Sequence, residues 1–135
     1  MIFIDDIIVI ITQNNFDVFF CRYTLENVEE TMDIDNIMRE LKSFMNESQQ
    51  LVILPGKYKK KLIAYYYLAI KIEIGQRYTE SDINDILNQW AIFHDSATLR
   101  RELYNKHLLN RTNDCRYYWR EEELPPLEEF IAKYV

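Results

Sequence analysis

Gly75-Gln76-Arg77-Tyr78-Thr79-Glu80-Ser81-Asp82 decides how this chain is read. It holds a helix stop, a short extended piece and a helix start in succession. Gly75 can take the left-handed backbone conformation that closes a helix. Arg77-Tyr78 reads as extended. Thr79 offers a hydroxyl for an N-cap, and Asp82 stands where the partner of a capping box belongs, although glutamate is the usual residue there.

Working upstream, Lys57-Tyr-Lys-Lys-Lys61 opens a helix expected to run to about Ile72. Leu62, Tyr66, Ala69 and Ile72 fall at helical spacing, while Ile63, Tyr67, Leu68 and Ile70 fall on the other sides. A helix that is apolar nearly all round is buried on more than one face. Its second cover must come from the N-terminal segment, the C-terminal tail or another subunit. On such a helix Tyr65, Tyr66 and Tyr67 read as core residues.

Downstream, Ile83, Ile86, Leu87 and Trp90 share one stripe of the next helix. A third helix begins after His94-Asp95, with Asp95 as the expected N-cap. It runs Ser96-Ala-Thr-Leu-Arg-Arg-Glu-Leu-Tyr-Asn105, with Leu99 and Leu103 toward the core. At about 100° per residue the opposite face presents Thr98, Arg101 and Asn105, with Arg100 and Tyr104 at its flanks. Arginine and asparagine make bidentate contacts with guanine and adenine edges, so this face could read a major groove. It could equally be an ordinary solvated face. Leu108 to Thr112 and Arg116 to Arg120, around Asn113-Asp114, read as a β-hairpin. Tyr117 and Trp119 share one of its faces, and Arg116, Tyr118 and Arg120 the other. Helix, short strand, helix, helix, hairpin is the winged-helix order. The fold expected is therefore α+β, with Arg111, Arg116 and Arg120 available to phosphates.

Several pieces carry a specific resemblance. They are Leu54-Pro-Gly-Lys-Tyr-Lys-Lys-Lys-Leu62, Arg77-Tyr-Thr-Glu-Ser-Asp-Ile-Asn84, Phe93-His-Asp-Ser-Ala-Thr-Leu-Arg-Arg-Glu-Leu103, Leu109-Asn-Arg-Thr112 and Tyr118-Trp-Arg120. Together they resemble the bacterial domain-of-unknown-function family two-zero-eight-seven, over residues 54–120. The resemblance implies a winged-helix-like domain often fused to regulator-type helix-turn-helix domains. The family has no established reaction, so no catalytic residues are carried over.

Outside this segment, residues 2–11 and 16–23 are apolar runs separated by Thr12-Gln-Asn-Asn15 and suggest a hairpin. Asp33 to about Asn46 reads as a helix with Ile34, Ile37, Met38, Leu41 and Met45 on one stripe. After Pro125-Pro126, a short helix would align Leu127, Phe130, Ile131 and Tyr134. The expected division is 1–53, an acidic hairpin and helix; 54–120, the winged-helix-like domain; and 121–135, an acidic tail helix.

Charge follows the same division. Residues 1–54 hold three basic and ten acidic side chains, residues 55–120 twelve and seven, and residues 121–135 one and five. The net charge of −6 thus conceals a basic middle between acidic ends. A basic segment is an electrostatic footprint for phosphates, unless the acidic flanks fold back over it. The acidic whole argues against strong non-specific DNA binding.

Other chemistries find little support. With only Gly56 and Gly75 there is no glycine-rich phosphate loop. His94-Asp95 lacks a nucleophile motif to complete a triad. Cys21, His94, His107 and Cys115 have zinc-binding chemistry but not the paired spacing of a structural site. Two cysteines fit reduced thiols rather than a disulfide framework. The apolar start contains Asp5 and Asp6, lacks a basic leader region, and is too short to span a bilayer. The expectation is a cytoplasmic, homodimeric, non-enzymatic regulator of transcription that binds double-stranded DNA through Thr98, Arg100, Arg101, Asn105, Arg111, Arg116 and Arg120. No cofactor, metal, small-molecule ligand or membrane is expected. The alternative is a winged helix used for protein association, its basic face matched to acidic ends or an acidic partner.

Overall fold

A computed structural model describes residues 33–135 of the chain. The expected hairpin over 2–11 and 16–23, and Cys21, lie outside the described residues. The chain divides into two units, Met1–Asn36 and Ile37–Val135, and the second carries the fold below.

Residues 33–41 are helical (α1) and continue as a 3-10 turn, Lys42–Phe44. Of the expected stripe, Ile37 and Leu41 are buried, Met38 and Met45 are partly buried, and Ile34 is exposed. A tight loop then returns through Leu51, which is fully buried. The Leu51 N–H donates to the Trp90 carbonyl at 2.8 Å and its own carbonyl accepts from Ile92 N–H at 2.9 Å.

The central helix α2 spans Tyr58–Ile70, and every residue from Leu62 to Ala69 is buried. The tyrosines among them are core residues, as their spacing implies, and two phenols keep partners at the margin of the core. Tyr66 donates to the Pro125 carbonyl at 2.7 Å and Tyr67 to the Gln49 carbonyl at 2.6 Å. A buried tyrosine needs such a partner for its hydroxyl while the ring fills space. The second cover of α2 comes from the same chain. Helix α5, Leu127–Tyr134, buries Leu127 and Phe130, with the Phe130 ring 5.5 Å from that of Tyr66.

Helix α2 stops earlier than its pattern suggests. It ends at Ile70; Ile72 is buried but lies in the turn beyond, and Gly75 takes φ +79° five residues after the helix. Gly75 therefore shapes the turn into strand β1 (Tyr78–Thr79) rather than capping the helix. Helix α3, Glu80–Trp90, starts as expected: Asp82 N–H donates to Thr79 Oγ1 at 3.2 Å. Glu80 and Asp82 in the first turn also favour its positive end. Ile83 and Leu87 are buried, with Ile86 and Trp90 packed partly against the core.

Helix α4 is Ser96–Asn105, with Leu99 and Leu103 buried. Asp95 occupies the N-cap position, but its side chain makes no capping hydrogen bond, which corrects the capping role expected of it. The far end is closed by His107 at φ +61°. His107 N–H donates to the Tyr104 carbonyl at 3.1 Å and Leu108 N–H to the Leu103 carbonyl at 3.0 Å. That pair of bonds is a Schellman closure with histidine where glycine is usual.

Strands β2 (Leu109–Arg111) and β3 (Tyr117–Arg120) form the hairpin, and β1 joins its other edge, giving the order β1-β3-β2, all antiparallel. Tyr78 faces Tyr118, Thr79 faces Tyr117, and Asn110 faces Trp119. The hairpin turn is fastened by side chains. Asp114 accepts from the Thr112 hydroxyl at 2.6 Å and from Arg116 N–H at 3.1 Å. These two bonds, the hydroxyl first, hold the Asp114 carboxyl below the usual carboxylate range. The described part of the fold is thus α+β, and residues 54–120 run helix, short strand, helix, helix, hairpin.

Candidate nucleic-acid interface

Helix α4 carries most of the candidate residues because Leu99 and Leu103 fix its inner face. With those two leucines buried, Arg101 and Asn105 are exposed and Thr98 is half-buried beside them. Arg101 has no ion-pair or hydrogen-bond partner among the described residues. At the hairpin turn, Arg116 is equally available. Its side chain is 77% exposed, and Asp114 at 3.8 Å is itself well exposed, so the pair is weak.

The remaining arginines are engaged within the fold. The Arg100 side chain is only 16% exposed. It donates to Asn84 Oδ1, lies 3.4 Å from a Glu80 carboxylate oxygen, and sits 5.6 Å from the Tyr118 ring centroid. Arg100 thereby ties α4 to α3 and to β3. Arg111 donates to the Cys115 sulfur and stacks 4.3 Å from the Tyr104 ring centroid, joining the hairpin to α4. Arg120 Nε donates to the Glu121 carbonyl at 3.3 Å. Of the seven residues expected at a nucleic-acid surface, Arg101, Asn105 and Arg116 are exposed and Thr98 lies at their margin. Arg100 and Arg111 brace the elements that carry them, and Arg120 is bonded to the carbonyl of the next residue.

Neighbouring charges are distributed to match. Lys106 pairs with Glu102 at 3.0 Å, one helical turn apart, and the two neutralise each other. Lys60 approaches Glu40 at 3.8 Å. Lys57 and Lys59 stay exposed at the start of α2. Below this surface, burial pushes the Tyr65 phenol up to about 12, and the carboxylates of Glu102 and Asp95 and the Tyr58 phenol add to the shift. Among the described residues no group of three or more His, Cys, Asp or Glu side chains is placed to hold a metal ion. The two histidines, His94 and His107, both take positive φ, at 55° and 61°. They serve the turns at either end of α4.

Two features go beyond the sequence reading. One is the position of Glu80 and Asn84, which withdraw Arg100 from the surface. A signal for it exists: Glu80 and Asn84 are one helical turn apart and share a face of α3. The other is the stacking of Arg77 on Trp119, at 4.7 Å. Once β1 is paired with β3, the register of Tyr78 with Tyr118 brings Arg77 opposite Trp119.

The sequence model of one family matches residues 50–120, which is more than half of the chain and takes in α2 through β3. The chain belongs to the bacterial family DUF2087. Its description is an uncharacterized protein conserved in bacteria. No curated protein and no solved structure matches the chain. The DUF2087 segment begins beside the buried Leu51 and ends at the last residue of β3. It therefore contains the whole sheet together with α3 and α4. No described helix is long and apolar enough to cross a membrane.

Proposed function

We propose that the DUF2087 segment is a winged-helix module that binds double-stranded DNA, with α4 as its recognition helix and the β2–β3 hairpin as its wing, and that it serves transcription regulation. The observation that carries this reading is the outward face of α4. Arg101 and Asn105 are exposed one turn apart on it, and Arg101 is without an internal counter-charge among the described residues. A guanidinium and an amide so placed suit guanine and adenine edges in a major groove. Arg116 on the hairpin turn adds a phosphate contact. Arg100 and Arg111 hold this geometry from behind.

The test is fluorescence anisotropy of a labelled random duplex at low salt. Arg101→Ala should weaken binding with the melting temperature unchanged, and on a duplex that carries the preferred base the loss should reach about 1–3 kcal/mol. Arg116→Ala should flatten the slope of log affinity against log salt by about 0.9. Duplex binding that survives Arg101→Ala removes α4 as the reading element.

A second reading, a module for protein association, has its own observation. Val52, Ile53 and Ile92 are exposed on neighbouring backbone, since Ile92 is bonded to Leu51. Charged substitutions at Ile53 and Ile92 that abolish self-association in sedimentation, in a chain with no duplex affinity, would favour it.

A further inference from the structure

The sheet has two unlike faces. Tyr118 and Leu109 are buried, whereas Tyr117 and Trp119 alternate to the other side of β3. Tyr117 is 42% exposed. Trp119 is half-buried, with the Arg77 guanidinium 4.7 Å from its ring. Two aromatic rings two residues apart on one strand, with a cation laid on one of them, form a surface rich in π faces and positive charge. Such a grouping is a patch, not a single scattered apolar residue, and patches mark interaction sites.

The charge nearby sharpens this. Arg77 is exposed and has no carboxylate partner among the described residues, and Arg116 projects from the adjoining turn. Three of the carboxylates near the strands have partners of their own within the fold. Asp114 is held by the Thr112 hydroxyl and Arg116 N–H, Glu121 accepts from the Asn110 side chain, and Glu80 faces Arg100. An apolar protein surface would cover the rings and leave the Arg77 guanidinium without a counter-charge. Nucleic acid meets both needs, because bases stack on rings and on planar guanidinium while phosphates neutralise the cations. A duplex keeps its base faces covered by stacking, so the occupant is an unpaired strand.

We propose that the outward face of the three-stranded sheet, built from Tyr117, Trp119 and Arg77, is a stacking platform for unpaired nucleotides of a single-stranded nucleic acid. This site uses none of the α4 residues and stands or falls independently of the duplex reading.

The probe is a short labelled oligo(dT) strand, read by anisotropy. Tryptophan fluorescence is read in a Trp90→Phe background, where Trp119 is the remaining tryptophan. The strand should bind at low salt and quench Trp119. Tyr117→Ala should weaken binding about tenfold, within the range for losing one stacked base, with the melting temperature unchanged. Tyr117→Phe should retain binding, since the ring rather than the hydroxyl is used, and Arg77→Ala should weaken it. Arg101→Ala should leave it intact. The proposal is overturned if oligo(dT) fails to bind or binds without quenching. It is equally overturned if Tyr117→Ala and Arg77→Ala leave affinity unchanged, or if Arg101→Ala abolishes strand binding, which would place the strand on α4.

Discussion

Adjacent arginines on α4 do different work. Arg100 is held by Asn84, Glu80 and the Tyr118 ring, and Arg101 is outward with no partner among the described residues. Arg100→Ala leaves the Asn84 side chain and Tyr118 ring without their partner and should cost about 1–2 kcal/mol; the Glu80 pairing adds little because that carboxylate is half-exposed. Arg101→Ala should leave the urea midpoint within error of the wild type. Equal midpoints for the two variants would show that Arg100 does not brace the helix. His107 offers a second test at the level of one residue. It holds φ +61° at the closure of α4, where a side chain costs about 1 kcal/mol and glycine does not. His107→Gly should therefore raise the melting temperature, and a clear fall would mean that the imidazole itself supports the structure. The sequence reveals which residues α4 presents, because leucines four apart fix a helix's inner face. It does not reveal that Arg100 is drawn inward, since that depends on how α3 lies against α4. Nor does it distinguish a capping Asp95 from one that merely occupies the position.

Among the elements, α2 and α5 depend on each other. Leu62 to Ala69 are all buried, and the C-terminal segment supplies Phe130 against Tyr66 together with a carbonyl, at Pro125, for the Tyr66 hydroxyl. Phe130→Ala should destabilise the chain by about 3–5 kcal/mol, the range for emptying a buried aromatic site. Tyr66→Phe keeps the ring but leaves the Pro125 carbonyl without its donor, and should cost about 1 kcal/mol. Chemical denaturation of both variants checks the order. A larger loss for Tyr66→Phe than for Phe130→Ala would contradict the packing described. The need for a cover over α2 is legible in its pattern, and so is the apolar stripe of residues 127–134. Which of three covers is used is not, because amphipathic stripes do not name their partners. Likewise α2 ends at Ile70, two residues short of the expected stop, because Ile72 can be buried from a turn as well as from a helix.

Across the molecule, the buried tyrosines make stability depend on alkaline pH. Burial raises the Tyr65 phenol to about 12 and raises the Tyr67 phenol as well. The folded chain therefore holds these protons to higher pH than the unfolded chain, whose phenols ionise near 10.0. Stability from this source is complete below that value and is lost as pH rises from 10.0 toward about 12. Urea midpoints should fall across that window, and Tyr65→Phe should flatten the fall. A midpoint that rises there would contradict the burial of these phenols. In the proposed function, the outward face of α4 meets duplex DNA. Charge segregation points to the basic middle segment, and Arg101 and Arg116 are exposed within it. The most direct measurement is backbone amide NMR of the nitrogen-labelled chain during titration with a short random duplex. The largest shifts should gather at Thr98, Arg101 and Asn105 on α4 and at Arg116 on the hairpin turn, while Leu127–Tyr134 of α5 stay still. Shifts centred on α5, or none at a concentration where the duplex is in large excess, would contradict the proposed function.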